Sequence, residues 1–575
     1  MKRLYVALLL GSVIPMQAQA PQSFQEFRKQ IFDDYENFRK TILDHYADFL
    51  NGTWHEYEPL LPLERDNTPK PMAVPDVNLT KPSVSPKGMP SPKLAALPPS
   101  ARPIPVPEQE PEQEPEPEEP VNTNPFGDDV PKTIVPPEAG KEVPPSLKVR
   151  PDLGAPLLAS LPESVRPVPK ISADGTDPTL STNVGVPDDA RLGEVDLKPI
   201  FIPNEEEESA EGKEPVNFYG MEILVPQVDF QIMRSFSSVA DFARNWKLLE
   251  EQDVKDDLLD ALKPKMESLG LNDYLTYEFL CAYMDSKFPE AASAPKMSVV
   301  HYLLSQMGYS ARIGMAVRSG DPVILMPMKQ KVYGKMYMPI DGETHYLMTA
   351  PDANVAGQGI ATCDLPKLAN SGKKFDLVVN GLNLPVKEHE FEVSYGGITL
   401  SGVVNENLMP VVYRYPQMET ADYAASELDG GLRKSLVEQI KAQLGDKDKL
   451  TATNNLLQFI QSGFEYATDD DFHGFEKPYF LEENFYYPKN DCEDRAMLYT
   501  YMLWNALGVE NQLLFFPGHE SASVSLDGNI TGTSYEHEGK RYFISDPTYI
   551  GSRTGQCMPQ YESTAPVIDR SLPTK

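Results

Sequence analysis

Cysteine, tryptophan and basic residues are scarce in this 575-residue chain, and each shortage narrows what the protein can be. Four cysteines are too few for a disulfide-built scaffold of this length, although Cys281 and Cys363 could pair. Lys and Arg number 52 against 85 Asp and Glu, which gives a formal net charge of −33. Since a nucleic-acid partner requires a basic face that neutralises phosphate, the sequence predicts no such partner.

Long apolar runs are also missing from the chain after its N-terminal segment. No later stretch approaches the roughly 18 to 20 consecutive apolar residues that a membrane span requires. At the start, two basic residues precede an apolar run at 4–14, and Ala-Gln-Ala follows at 18–20. This pattern predicts a secretory signal peptide at 1–20 and a periplasmic or extracellular protein. Pro21 would hinder cleavage after Ala20, so the position of the cut stays open.

The next two segments differ sharply in composition. Residues 21–58 carry apolar and aromatic side chains three or four positions apart, which predicts an amphipathic helix that packs on the catalytic region, with self-association or a protein partner as the alternatives. Residues 59–215 hold well over half of the 55 prolines and two acidic blocks. Such a composition buries too little apolar surface to offset its ordering entropy, so a disordered Pro/Glu-rich linker is expected.

The linker contains an internal repeat. Leu94-Ala95-Ala96-Leu97-Pro98, with Arg102-Pro103 after it, is echoed by Leu158-Ala159-Ser160-Leu161-Pro162 with Arg166-Pro167 after it. Two interpretations are open for these apolar patches. They are docking motifs for the folded domains or for a protein partner, or they are a neutral duplication.

Cys492 lies directly before a segment with a strong helical pattern. Asn490 and Glu493, three residues apart, form an N-cap and capping-box pattern that predicts Cys492 in the first helical turn. Gly508 lies where a left-handed residue would end the helix. The unpaired N–H groups and the positive end of the helix dipole would lower the thiol pKa from its usual value near roughly 8.5. The same groups could stabilise an oxyanion.

His519 and Asp546 follow Cys492 at positions that suit a catalytic triad. His519 begins a segment in which apolar residues alternate with serines, which predicts a half-buried strand, and the predicted strand at 542–544 leads to Asp546. If both strands pack on the helix, His519 can accept the proton of Cys492 while Asp546 orients the imidazole. The sequence therefore predicts Cys492, His519 and Asp546 as catalytic residues.

Two other interpretations of these residues stay open. A single cysteine is often only a small buried apolar residue, and a single histidine is often structural. The carboxylates beside Cys492 could be metal ligands, but without paired Cys-x-x-Cys or His-x-x-x-His spacing the sequence predicts no metal and no other cofactor. His473, in an irregular acidic stretch, and His537, beside a hairpin turn, are weaker candidates for the base.

Three motifs resemble the transglutaminase-like superfamily. They are the runs Asn490 to Ala496, Pro517 to His519 and Tyr542 to Tyr549. The resemblance covers roughly residues 415 to 565 and implies a papain-like fold with Cys492 as nucleophile, His519 as base and Asp546 as the orienting residue. Members often carry Ala-Trp-Val after the histidine, whereas this chain has Glu520-Ser521-Ala522, so the acyl-acceptor side of the site differs.

An earlier region repeats the pattern of the C-terminal one. Residues 216–375 contain a helix, glycine and strand pattern that aligns with 415–575 at an offset of two hundred, with Gly308 opposite Gly508 and Ala292 opposite Cys492. This predicts a degenerate transglutaminase-like unit without the nucleophile, unless the pattern recurs by chance. Strand-like segments at 376–414 predict a small β module between two α+β units.

Three functions fit these observations. The first is a secreted thiol-dependent peptidase or amidase that attacks an amide carbonyl of a peptide or protein substrate through an acyl-enzyme. The second is an acyl transferase that crosslinks proteins. The third is a non-catalytic binding or assembly protein.

Overall fold

The computed structural model describes residues 46–64, 87–94, 210–351, 353–363 and 372–572. It combines helices and strands, which agrees with the expected α+β class. The predicted signal peptide, most of the predicted N-terminal helix and most of the linker, including its second repeat, lie outside the described residues. No helix of the described residues is both long and apolar enough to cross a bilayer.

The elements up to residue 363 are, in chain order, α1 (Tyr46–Leu50), β1 (Trp54–Tyr57), β2 (Lys87–Gly88), β3 (Lys93–Leu94), β4 (Lys213–Phe218), β5 (Met221–Pro226), α2 (Ala240–Glu251), α3 (Lys255–Ser268), α4 (Asp273–Lys287), α5 (Ser293–Gln306), β6 (Arg312–Ala316), β7 (Pro322–Pro327), β8 (Tyr337–Ile340), β9 (Glu343–Thr349) and β10 (Ile360–Cys363). Residues 210–363 with 46–64 are called the N-terminal unit below.

The next elements are β11 (Glu388–Tyr395), β12 (Ile398–Asn405), α6 (Leu408–Val412), α7 (Thr420–Ala425), α8 (Gly430–Leu444), α9 (Lys449–Gly463), β13 (Glu465–Tyr466), α10 (Asp469–Phe472), a 3₁₀ turn (Leu481–Phe485), β14 (Lys489–Asn490), α11 (Cys492–Leu507), β15 (Glu510–Phe516), β16 (His519–Ser525), β17 (Thr533–His537), β18 (Lys540–Ile544) and β19 (Val567–Leu572). Residues 415–572 are called the C-terminal unit.

The two units share one strand order. The sheet of the N-terminal unit runs β1-β10-β6-β7-β9-β8, and that of the C-terminal unit runs β2-β17-β18-β16-β15-β19-β3. In each unit, one helix is followed in the chain by five consecutive strands of the sheet. Numbered in chain order, these five strands lie side by side in the order fifth, first, second, fourth, third. The order is β10-β6-β7-β9-β8 in the N-terminal unit and, with the sheet taken from its other edge, β19-β15-β16-β18-β17 in the C-terminal unit. The preceding helix, α5 or α11, packs on the first two strands of its sheet.

Each sheet carries apolar side chains on both faces. In the C-terminal unit Leu513, Ala522 and Phe543 join the main core with α11, while the alternate residues Leu514 and Ile544 belong to a separate cluster. This division follows from the two-residue period of a strand, which directs successive side chains to opposite faces. The second face therefore needs its own cover.

Several local predictions differ from the structure. Residues 54–57 form strand β1, not the end of a helix, because they pair with β10. The described end of the predicted helix, α1, packs on α2 of the N-terminal unit rather than on the catalytic region, with Tyr46 stacked on Trp246. Val411 and Val412 lie in helix α6 rather than a strand, with Pro410 in the first turn, where its missing N–H leaves no bond unmade. Within the predicted linker, 87–94 supplies β2 and β3, and β4 begins at Lys213. No disulfide joins any of the four cysteines, so Cys281 and Cys363 do not pair.

Candidate active site

Cys492 is the first residue of helix α11. The N-cap is Asp491, one residue later than predicted, and the Asp494 carboxylate accepts the Asp491 N–H at 3.3 Å. Gly508 ends the helix in the left-handed region, with φ of 58°. The thiol thus lies at the helix end where backbone N–H groups have no partner inside the helix.

His519 and Asp546 meet at the ends of neighbouring strands. The imidazole Nε2 lies 2.8 Å from Asp546 Oδ2, and the other oxygen of this carboxylate accepts the N–H of Thr548 at 2.9 Å. His519 is the first residue of β16, and Asp546 follows β18, which pairs with β16. Because the carboxylate occupies Nε2, the imidazole can exchange a proton with a thiol only through Nδ1.

Two contacts place Cys492 beside this pair. The backbone N–H of Glu520, the residue after His519, donates a hydrogen bond to the Cys492 sulfur. Tyr561 stacks on the His519 ring, with centroids 5.3 Å apart and planes 15° apart. Burial and then the charges of Cys492 and Asp546 raise the pKa of Tyr561, so its phenol is near both residues. The structure thus brings together the three residues predicted as a triad.

The protonation of Cys492 differs from the sequence prediction. Burial, followed by the charges of Glu493 and Asp491, raises the thiol pKa well above its ordinary value, although the Glu520 N–H acts in the opposite direction. The thiol donates to Glu493 Oε2 at 3.2 Å. The expected lowering of the pKa considered only the helix end and omitted burial and the two flanking carboxylates. Cys492 is therefore a neutral thiol at rest.

The site is closed to solvent. Cys492, His519 and Asp546 are 2%, 6% and 2% exposed. A cavity of about 540 Å³ lies in the N-terminal unit, beside Glu214 and Lys287, and none of the three site residues lines it. Contact between a substrate and the thiol requires a side chain over the site to move, and Tyr561, which is only half-buried, covers His519.

Gln461, on α9, fixes the loop that carries Asp546. Its side-chain nitrogen donates to the carbonyls of Asp546 at 3.0 Å and Tyr549 at 2.9 Å, and its oxygen accepts the Gly551 N–H at 3.0 Å. The side chain is 2% exposed, so these bonds form away from water. Gln461 is a positioning residue that acts through Asp546.

Arg495 fixes the start of helix α11 through hydrogen bonds to three other residues. Its Nε donates to Asn490 Oδ1 at 2.8 Å, and its terminal nitrogens donate to the carbonyls of Gln461 at 3.2 Å and Phe464 at 2.8 Å. The guanidinium is fully buried and lies over the Tyr466 ring. It therefore joins the residues before Cys492 to the end of α9.

Three buried carboxylates lie together beside the nucleophile. Oxygens of Asp469, Asp491 and Glu493 lie within 4.8 Å of one another. When ionised, both oxygens of Asp491 and Oε1 of Glu493 accept no hydrogen bond, whereas a proton on either residue lets the two carboxyls bond to each other. Burial and then neighbouring carboxylates raise the pKa of Asp469 and of Asp491, so the group either shares protons or holds a hard divalent cation with oxygen ligands, such as Ca²⁺. The sequence predicted no metal.

The weaker histidine candidates stay outside the site. His473 is buried, bonds to the Tyr479 hydroxyl at 2.6 Å, and has its pKa lowered to about 2, chiefly by burial. It is thus a neutral structural group. His537 ends β17 next to the turn at Glu538 and Gly539, where both residues have positive φ.

The N-terminal unit has no cysteine, histidine or aspartate at the positions that match the three site residues. Ala292 is the N-cap of α5, as Asp491 is of α11, and Ser293 is the first helical residue, as Cys492 is. Pro322 begins β7 as His519 begins β16, and Ala350 and Pro351 follow β9 where Ser545 and Asp546 follow β18.

Comparison with known proteins adds no family to this description. A scan against protein-family models finds no match, and a search of curated proteins finds no similar chain.

Proposed function

We propose that this chain is a secreted thiol-dependent peptidase or amidase with a transglutaminase-like C-terminal unit. Cys492 is the nucleophile, His519 the general base and then acid, and Asp546 the residue that orients the imidazole. The hydrogen bond between His519 and Asp546, buried beside a cysteine at a helix start, carries the proposal. The motifs around these residues support the same assignment.

The chemistry proceeds through an acyl-enzyme. The Cys492 proton moves to His519 Nδ1 as the sulfur attacks the amide carbonyl carbon. The oxyanion that forms is stabilised by the N–H groups at the start of α11. The C–N bond then breaks, and the leaving amine takes the proton from His519. Water, deprotonated by His519, hydrolyses the thioester and releases the acid.

The pKa of the resting thiol makes the histidine essential. Burial and two carboxylates hold the proton on sulfur, so thiolate forms only when His519 accepts that proton during attack. Protonation or cation binding at Asp491 and Glu493 removes negative charge beside the sulfur and makes this transfer easier.

Substitution of Cys492 tests the proposal. Incubation of the full chain with a defined peptide library, followed by mass spectrometry of the products, should show cleavage that Cys492→Ala abolishes. Cys557→Ala is the matched control, because Cys557 is also a buried thiol of the C-terminal unit and lies in the separate apolar cluster. Equal cleavage by the parent chain and Cys492→Ala would refute the assignment.

A non-catalytic binding or assembly role is the second candidate. The observation in its favour is the closed site, in which burial keeps Cys492 protonated. In that case Cys492 should react with iodoacetamide at neutral pH no faster than a thiol of ordinary pKa, and His519→Ala should not slow the reaction. Loss of reactivity in His519→Ala would instead support the enzyme.

An acyl transferase differs from a hydrolase only in what resolves the acyl-enzyme. Addition of a primary amine to the peptide assay separates them, because a transferase yields the amide in place of the acid. Ser521 occupies the position of the aromatic residue common in the superfamily, and Glu520, directly after His519, is buried and accepts a hydrogen bond from the Thr420 hydroxyl. A carboxylate on this side gives water a hydrogen-bond acceptor, which favours hydrolysis.

Secretion rests on the first twenty residues. Expression of the full chain with and without residues 1–20 in a Gram-negative host, followed by fractionation, tests it. Equal retention of both forms in the cytoplasm would refute the signal peptide.

A further inference from the structure

Residues 87–94 span the open sheet of the C-terminal unit and are called the strap. At one edge, Lys87 and Gly88 pair with Thr533 and Ser534 of β17. At the other edge, Lys93 and Leu94 pair with Val567 and Ile568 of β19. Two N–H groups fix the strap, that of Met89 to the Ser534 carbonyl and that of Lys93 to the Pro566 carbonyl, both at 2.9 Å.

The short length of the strap shows that the sheet is curled. In a flat seven-stranded sheet β2 and β3 would be six strand spacings apart, about 29 Å. The five residue steps from Gly88 to Lys93 reach at most about 18 Å. The edges β17 and β19 must therefore approach each other, and the strap closes the gap between them in an extended conformation. Pro90 and Pro92 suit such a conformation.

The strap also completes an apolar cluster. Met89 packs against the buried cluster on the face away from α11. The buried members of this cluster are Leu514, Phe516, Tyr535, Tyr542, Ile544, Cys557 and Ile568. The strap thus covers apolar side chains and two strand edges that would otherwise offer unpaired backbone groups.

The N-terminal unit is closed in the same way. Strand β1 pairs with edge strand β10, and three residues later Leu60 bridges Tyr337 of the opposite edge strand β8. The Gly334 N–H then donates to the Leu63 carbonyl at 2.8 Å. Both curled sheets therefore take an extended, proline-containing segment from the N-terminal part of the chain across their open side.

A segment with a similar pattern to the strap occurs 64 residues later in the chain. Leu153-Gly154-Ala155-Pro156-Leu157-Leu158 aligns with Met89-Pro90-Ser91-Pro92-Lys93-Leu94, immediately before the repeat at 158–167. Met89, Pro92 and Leu94 correspond to Leu153, Pro156 and Leu158. The two positions that donate N–H groups, 89 and 93, are again not proline, so the second copy can form the same two bonds.

We propose that the gap between β17 and β19 is a docking site for extended segments of the pattern apolar-x-x-Pro-x-Leu, and that residues 151–158 of the same chain are its second occupant. Docking of either copy closes the sheet. The two docked states differ in how many linker residues lie before and after the docked segment. The two copies compete within one molecule at high effective concentration, so a modest difference in affinity decides which is bound.

Hydrogen exchange on the full chain tests the exchange of copies. Met89→Asp places a charge in the apolar cluster and should release the strap, so that exchange at 87–94 becomes fast while exchange at 151–158 slows about tenfold or more. Ser91→Asp is the matched control, because the Ser91 side chain is exposed and should leave both segments unchanged. Fast exchange at both segments in Met89→Asp would overturn the proposal.

A second measurement does not depend on any variant folding. A synthetic peptide of residues 149–160, added in excess to the unmodified chain, should compete with the strap and accelerate exchange at 87–94. The same peptide with Leu153→Asp should have no effect. If neither peptide changes exchange at 87–94, the site does not accept the second copy. Slow exchange at 151–158 that appears only together with a doubled mass in light scattering would refute docking within one chain.

Discussion

Replacement of Gln461 by alanine should destabilise the C-terminal unit by about 2–4 kcal/mol. The side-chain amide has two hydrogens and one oxygen, so it makes three full hydrogen bonds among the partners in the loop from Asp546 to Ser552. A net value of about 0.5–1.5 kcal/mol for each bond gives about 2–4 kcal/mol in total. The Tyr549 carbonyl keeps the Ser552 N–H as a second donor, whereas the buried Asp546 carbonyl loses the Gln461 amide, which places the expected loss inside this range.

Urea denaturation monitored by far-UV circular dichroism measures the effect. Gln439→Ala is the matched control, because Gln439 also bonds through its amide to a backbone carbonyl and N–H, those of Ser401, but at a partly exposed position. The control should lose about 1 kcal/mol or less. If Gln461→Ala and Gln439→Ala have equal stability, the Gln461 network does not hold the Asp546 loop. Peptide cleavage should also fall in Gln461→Ala at temperatures where the variant stays folded.

Three further predictions follow from buried charge and close packing. Burial and neighbouring carboxylates raise the pKa of Asp491 in the folded state. Without divalent cations, the contribution of Asp491 to stability should therefore be fully present below the ordinary Asp pKa of about 4 and be lost as the pH rises through the folded-state pKa. Over this range the melting temperature of the parent chain should fall relative to that of Asp491→Asn, and millimolar Ca²⁺ should stabilise the parent chain more than this variant. The buried pair of Arg433 and Glu482, with nitrogen to oxygen distances of 2.7 and 3.1 Å, predicts a loss of about 3–5 kcal/mol in Glu482→Gln by urea denaturation. Gly532 has φ of +132°, and a Cβ there would lie 2.1 Å from the Gly555 carbonyl oxygen, so Gly532→Ala should lower the melting temperature. Gly551→Ala is the control, because Gly551 also has positive φ but has open space around it. This control should cost only the backbone strain, about 1 kcal/mol.

The parts of the fold that depend on neighbouring residues could be predicted from the sequence. The start of α11 near Cys492, its end at Gly508 and the first residue of β16 follow from caps, a left-handed glycine and strand alternation, all of which are local. The hairpin at Glu538 and Gly539 follows from the positive φ that its turn requires.

The remaining features arise between distant segments. Asp469 precedes Asp491 by 22 residues in an irregular acidic stretch, so only the folded chain brings their carboxylates together. Gln461 lies on an ordinary helical face with no signal of its role, and Tyr561 reaches His519 from the loop before β19. The direction of the Cys492 pKa was missed because desolvation depends on burial, which a sequence motif does not give. The strap and the strand β1 were not predicted, because prolines and charges favour an extended chain whether or not it pairs with a strand edge.

The strap determines which of the two sheets can close first while the chain is synthesised. About 450 residues separate Lys87 from its partner Thr533, and a similar distance separates Leu94 from Ile568. At about 5–20 residues per second, translation takes roughly 20–90 s to produce the second partner after the first. During that time the N-terminal unit can close its own sheet, whereas the C-terminal unit stays open until the last strand is made. A fragment that begins after residue 160 lacks both the strap and its second copy and exposes the apolar cluster and two strand edges, which makes such a fragment prone to aggregate.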